Sequence, residues 1–196
     1  MYLIFDATPI TKPTNYQALF SDTQLWPRLI HLSWILLNEE LKPVEDFDCI
    51  IKPEGHKITP AINKYAQLEE GEVERRGIDL GPVLDQFAET VEKADFIFAH
   101  NLNANENIVA AEFVRHKRSI NFFKKKRFCL MEEGTYYCKI PNKAGGYKWP
   151  TLNELHAFCF QKGYSPGNNA RADVIAAARC FIKLKKTGKL EDLFES

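Results

Sequence analysis

The opening MYLIFDATPI lifts one carboxylate, Asp6, to the end of a short apolar run, Leu3-Ile4-Phe5. Carboxylates working in pairs hold divalent cations or share proton transfers, so the chemistry open to Asp6 turns on its having a partner. The next position on the same face of a strand is two residues on, and it holds Thr8. Two other stretches gather polar side chains at a strand end or a helix start, where α/β proteins keep functional groups. AHNLNANEN leaves an apolar run and enters a helical pattern; GNNARAD leads into the last helix, with Asp173 on its first or second turn. Each is weak alone, since a solitary Asp at a strand end serves more often as a cap or turn former.

The elements that must position these groups alternate between strand and helix. Tyr2 to Asp6 is short and nearly all apolar, which predicts a strand buried on both faces. RLIHLSWILLN (28–38) and VEDFDCIIK (44–52) read as two more strands, joined by a turn near Glu39-Glu40. Ile58 to Gln67 predicts a short helix entered at Thr59-Pro60, since proline suits the first helical turn. From Leu80 to Lys93, Val83, Leu84, Phe87, Ala88 and Val91 trace one helical face. DFIFAHN predicts a strand ending at His100-Asn101, followed by a helix to about residue 117. Thr151 and Glu154 form a capping-box pattern before a helix to Gln161, and a final helix runs from Asn169 to about Lys186. The stretch 132–150, rich in Gly, Lys and Tyr, reads as a loop or extended excursion.

At 196 residues the chain fits one domain, 1–196, with enough apolar residues (45%) for a proper core. Formal charge is zero, from 26 basic and 26 acidic residues, which excludes a whole-protein basic field; nucleic-acid binding would have to use local patches. Five cysteines without a CxxC pair predict free thiols in a reducing compartment. No apolar run reaches membrane-spanning length and the N-terminus lacks a signal pattern, so the expectation is a cytoplasmic protein with no membrane partner.

In this order the three stretches resemble the DnaQ-type (DEDDh) 3′–5′ exonucleases, which open with FDxE, continue with AHNxxFD and close with HxAxxD. Here they read Phe5-Asp6-Ala7-Thr8, then Ala99-His100-Asn101-Leu102-Asn103-Ala104-Asn105, then Asn168-Asn169-Ala170-Arg171-Ala172-Asp173. WPRLIHLSW, IKPEG and GGYKWPTLNELH also look like one bacterial branch, so the resemblance covers nearly the whole chain. It implies an α/β, ribonuclease H-like mixed sheet, three antiparallel strands and then parallel ones, flanked by helices. It also implies four carboxylates holding two cations, Mg²⁺ or Mn²⁺, with a histidine five residues before the last Asp as general base.

Carried over position by position, the resemblance leaves Asp6 and Asp173 as catalytic and metal-ligand positions. Thr8 stands for a Glu, Asn105 for an Asp and Asn168 for the His, and Asn169 occupies the place of the family's tyrosine variant. A carboxylate about 4 Å from a dication contributes a gross attraction of roughly 8 kcal/mol at an effective dielectric near 20, heavily offset by desolvation. Losing two such ligands removes decades of metal affinity, and losing the base costs roughly 10²–10⁴ in rate. The expectation is a weak single cation site at most, in a catalytically impaired exonuclease-fold protein. Glu106, Glu132 and Glu133 are the acids that could substitute, although a helix turns Glu106 about 100° from Asn105.

Cations and aromatics mix in Lys124-Lys125-Lys126-Arg127 after Phe122-Phe123, and again at Tyr147-Lys148; Trp26 follows the first motif. That mixture suits backbone neutralisation and base stacking on single-stranded DNA or RNA. The readings set side by side are therefore a nucleic-acid-binding or scaffold protein, an active metal-dependent exonuclease, and a protein-interaction module. His31, His56, His116 and His156 show no ligand spacing and read as structural or surface residues.

Overall fold

The computed structural model describes residues 1–165 and 169–194. Its sheet has the order β3-β2-β1-β4-β5. Strands β1 (Tyr2–Pro9), β2 (Leu29–Leu37) and β3 (Pro43–Ile50) form an antiparallel meander, and β4 (Phe96–Ala99) and β5 (Lys126–Cys129) continue it in parallel. This is the ribonuclease H-like mixed sheet expected from the motifs. Helices α1 (Pro60–Ala66), α2 (Glu72–Arg76), α3 (Leu80–Lys93), α4 (Leu102–Arg115), α5 (Leu130–Cys138), α6 (Leu152–Phe160) and α7 (Ala170–Lys186) surround it.

Strand alternation divides the core in two. Leu3, Phe5 and Ala7 face α3 and α4, packing with Leu84, Phe87, Val91 and Phe113. Tyr2 and Ile4 face the other way, with Leu155, Val174, Ala177 and Phe181 of α6 and α7. All nine residues of β2 are buried because helices cover both faces of the sheet centre. The same period sends Asp6 and Thr8 toward α7, the helix that carries Asp173. Strand pairing decides how far they are exposed: β4 pairs with β1 only from Tyr2↔Phe96 to Ile4↔Phe98, so β1 runs on past its neighbour. A notch opens there.

The capping box at Thr151 and Glu154 is present, and Thr59 caps α1 just before Pro60. One expectation needs correction: the stretch 132–150 is not all loop, because α5 occupies Leu130–Cys138. Gly134 lowers the helical propensity of this segment, and its neighbours pack closely against it. A Cβ there would lie 3.1 Å from both Leu155 Cδ1 and Pro150 Cγ. Beyond α5 the chain makes a tight turn, with Pro141 bridging Tyr147 and positive φ at Gly145 and Gly146.

An ionic knot fastens α4 to β2. Fully buried Glu112 accepts from Arg28 Nε and from the Leu29 N–H, each at 2.9 Å, and ion-pairs with Arg115 at 2.9 Å. Arg115 reaches on to the Trp26 carbonyl at 2.6 Å, tying down the long segment that follows β1. All five cysteines are free thiols. No helix among the described residues is long and apolar enough to cross a membrane.

Candidate functional site

The notch is a pocket of about 260 Å³ whose lining includes Asp6, Thr8, Lys12, Tyr16, His100, Asn101, Asn105 and Asp173. The structure therefore gathers four of the five motif positions that the sequence singled out. The fifth, Asn168, lies outside the described residues.

Asp6 and Asp173 are the carboxylates of this lining. Burial and the nearby charge of Asp173 push Asp6 well above the usual carboxylate range, opposed by a hydrogen bond with Asn105. Asp173 stands near the start of α7, where the Asn169 side chain caps the helix by accepting from the Ala172 N–H at 3.2 Å. One of its oxygens is already taken: the Tyr164 hydroxyl donates to Asp173 Oδ1 at 2.6 Å. Burial, that hydrogen bond and the two aspartates hold the Tyr164 phenol far above its usual range. At neutral pH it is a donor and not a base. Tyr164 escaped the sequence reading because it lies nine residues before Asp173, outside any motif spacing.

Asn105 acts as a clip. Its Oδ1 accepts the Ala7 N–H of β1 at 2.6 Å, and its Nδ2 donates to the carbonyls of His100 and Asn101 at 2.8 and 3.2 Å. The amide joins the open edge of β1 to the β4–α4 junction, where Asn101 takes a left-handed conformation. A carboxylate could not donate the latter two bonds.

His100 donates from Nε2 to the Pro150 carbonyl at 3.0 Å, and burial lowers its pKa from 6.5 to about 4. It is a neutral imidazole at neutral pH. This predicts a definite acid limb in stability. Below pH 6.5 the unfolded imidazole takes a proton that the folded one refuses until about 4, so the His100 contribution is complete above 6.5 and is lost as pH falls through that window. The loss should be on the order of 3 kcal/mol. Urea unfolding across pH 4 to 7 should show that slope in the native chain and a flatter one in His100→Asn; parallel slopes would refute the assignment. Asp6 acts with the opposite sign, because its raised folded pKa favours the fold at low pH and the advantage fades as pH rises through that value.

The acids that could substitute do not join this pocket. Glu106 is buried against Arg127, 2.6 Å away. Glu133 is raised by burial and by the charges of Glu132 and Asp192, and it does not line the pocket. Glu132 lines an adjoining cavity instead. Among the described residues no group of three or more His, Cys, Asp or Glu side chains is placed to hold a metal. The donor set does not fit the paired cations of a two-metal nuclease, which need more carboxylate than Asp6 and a Tyr-bound Asp173 supply.

The expected nucleic-acid contacts divide. Trp26 is corrected: it is 2% exposed, with Nε1 donating to the Leu19 carbonyl, so its ring packs under the loop and cannot stack a base. Arg127 is engaged by Glu106 and lies over the Phe123 ring, Lys125 donates to the Glu92 carbonyl at 2.9 Å, and Lys126 lies over Phe96. Lys124 is exposed, but none of the run 124–127 lines the pocket. Tyr147 is exposed, while Lys148 holds Glu154 at 2.6 Å. Lys12 and Tyr16, from the segment after β1, do line the pocket, and nothing in their local sequence marked them out.

No family's sequence model matches the chain, and no curated protein sequence does. Solved structures do. Escherichia coli exonuclease I in complex with a dT13 oligonucleotide superposes with a TM-score of 0.71 at 16% identity, over 99% of this chain and 42% of that one. The same enzyme with a dA16 oligonucleotide gives 0.68 at 15% identity, over 98% and 42% of the two chains. An apo exonuclease I gives 0.69 at 14% identity, over 98% and 44%. The chain thus spans less than half the length of these structures, and what it shares with them, at such low identity, is the DnaQ-like, ribonuclease H-like exonuclease fold.

Proposed function

We propose that residues 1–196 form one exonuclease-like domain that binds single-stranded nucleic acid along the notch and cuts it poorly or not at all. The observation that carries this is Asn105. At the position where the fold's nucleases need a carboxylate, a neutral amide spends both ends on backbone groups. Thr8 supplies no charge either, so among the described residues Asp6 and Asp173 are the carboxylates of the lining. Binding is supported by Lys12 and Tyr16 in the lining, and by exonuclease I, whose structures with oligonucleotides share the fold. The free thiols accord with a reducing, cytoplasmic setting.

The test is direct. A 5′-labelled single-stranded DNA and its RNA counterpart, incubated with Mg²⁺ and separately with Mn²⁺, should remain full length. Rapid trimming from the 3′ end that Asp6→Ala abolishes would overturn the proposal in favour of a working exonuclease. Filter binding at several salt concentrations should show retention that weakens as salt rises, since phosphate contacts release counterions. Absence of any salt-dependent retention would favour a protein-interaction module.

A further inference from the structure

Beside the acid-bearing pocket lies a second, larger cavity of about 540 Å³, and the two share Tyr16 and Asn101 in their walls. Its lining adds Asn103, Met131, Glu132 and Trp149. Trp149 is 61% exposed and Tyr16 is 44% exposed, an unusual outlay of aromatic surface to water.

Both rings come from irregular segments, yet both segments are tied to one place. Asn103 Nδ2 donates to the Tyr16 carbonyl at 2.9 Å. His100 Nε2 donates to the carbonyl of Pro150, the residue after Trp149. Residues 100–103, at the β4–α4 junction, therefore hold two chain segments some 130 positions apart with their aromatic side chains lining a common cavity. Anchoring both ring-bearing segments at one junction lowers the backbone freedom lost when a flat partner binds.

The chemistry of the lining selects the partner. It holds no lysine or arginine and does hold the carboxylate of Glu132, which repels a phosphate. Aromatic faces, a thioether and amide groups suit an unpaired nucleobase, which offers a π-face for stacking and polar edges for hydrogen bonds. The cation that could meet a phosphate, Lys12, lines the neighbouring pocket. Base and backbone would thus divide between the two cavities.

We propose that Tyr16 and Trp149 wall a subsite for one unpaired base of a single strand whose adjoining backbone enters the pocket of Asp6 and Asp173. This rests on the reading of the notch as a single-strand binder, and the experiment separates the two. A fluorescein-labelled single-stranded dodecamer and its counterpart with an abasic central run are titrated by anisotropy at low and moderate salt. The proteins are the native chain, Trp149→Ala, Trp149→Phe and Tyr16→Ala. The native chain should bind the normal strand more tightly than the abasic one. Trp149→Ala should lose roughly tenfold on the normal strand, within the range for one stacked base, and change little on the abasic strand. Tyr16→Ala should behave alike, and Trp149→Phe should retain most of the affinity. Trp149 is a surface side chain, so circular dichroism should confirm an unchanged fold. Equal, salt-dependent binding of both strands, unmoved by the alanine variants, would overturn the base subsite and leave the nucleic-acid reading standing. Failure of both strands to bind would overturn both readings.

Discussion

The double variant Thr8→Glu, Asn105→Asp should bind Mn²⁺ with an affinity decades above that of the native protein. Both positions line the pocket that already holds Asp6 and Asp173, so the double variant would bring four carboxylates to one cavity. Each added charge at about 4 Å contributes a gross attraction of roughly 8 kcal/mol to a dication at effective dielectric near 20, and a modest surviving fraction is worth orders of magnitude in binding. Without metal the same variant should be the less stable protein. A carboxylate at position 105 would face the carbonyls of His100 and Asn101 that the amide now satisfies. Leaving such groups unsatisfied costs about 1–3 kcal/mol. Calorimetric titration with Mn²⁺ and thermal melts with and without the ion check both halves. The melting temperature should fall in the apo double variant and recover with Mn²⁺, as ligand linkage requires. A native chain that already binds Mn²⁺ as tightly as the variant would show that Thr8 and Asn105 do not limit metal affinity here.

The largest loss of stability from one side chain should come from Glu112→Ala. Its carboxylate is fully buried and holds Arg28, Arg115 and the Leu29 N–H at once. Removing one member of a buried ionic cluster strands the others in a dry place, at a cost of about 3–5 kcal/mol. Truncating Arg28 should cost less than truncating Glu112, because Glu112 would keep Arg115 and the Leu29 N–H. Urea unfolding followed by tryptophan fluorescence measures both, and a Glu112→Ala chain within about 1 kcal/mol of native would show that water enters and rescues the arginines. The site should register the damage too, because Glu112 closes the far end of the helix whose start carries Asn105.

Much of the architecture could be read in the residues because its signals are periodic. Leu80–Lys93 shows one apolar face and is a helix over that range; the capping box at Thr151 starts a helix as written. Helix α5 escaped because Gly134, against which Leu155 and Pro150 pack closely, lowers the local helical signal. Trp26 looks available for stacking because nothing local says that the loop closes over it. The basic run 124–127 reads as a patch for nucleic acid, but half of it is the start of β5. Strand geometry sends Lys126 and Arg127 to opposite faces, and each meets a different partner. The site divides in the same way. Asp6, Thr8, Asn105 and Asp173 were visible because motif spacing encodes them, whereas Tyr164, Lys12, Tyr16 and Trp149 arrive on loops whose paths only the folded chain defines.

The three hydrogen bonds of Asn105 make this position resistant to a carboxylate. A chain acquiring metal chemistry here would have to gain several charges, and at this position the first step breaks a fastening between β1 and the β4–α4 junction. Until other ligands are in place, no ion compensates that loss. Asn105→Asp alone leads downhill in stability before any cation can reward it. The amide acts as a ratchet: with strand and junction resting on it, selection for a folded protein alone is enough to keep a carboxylate out.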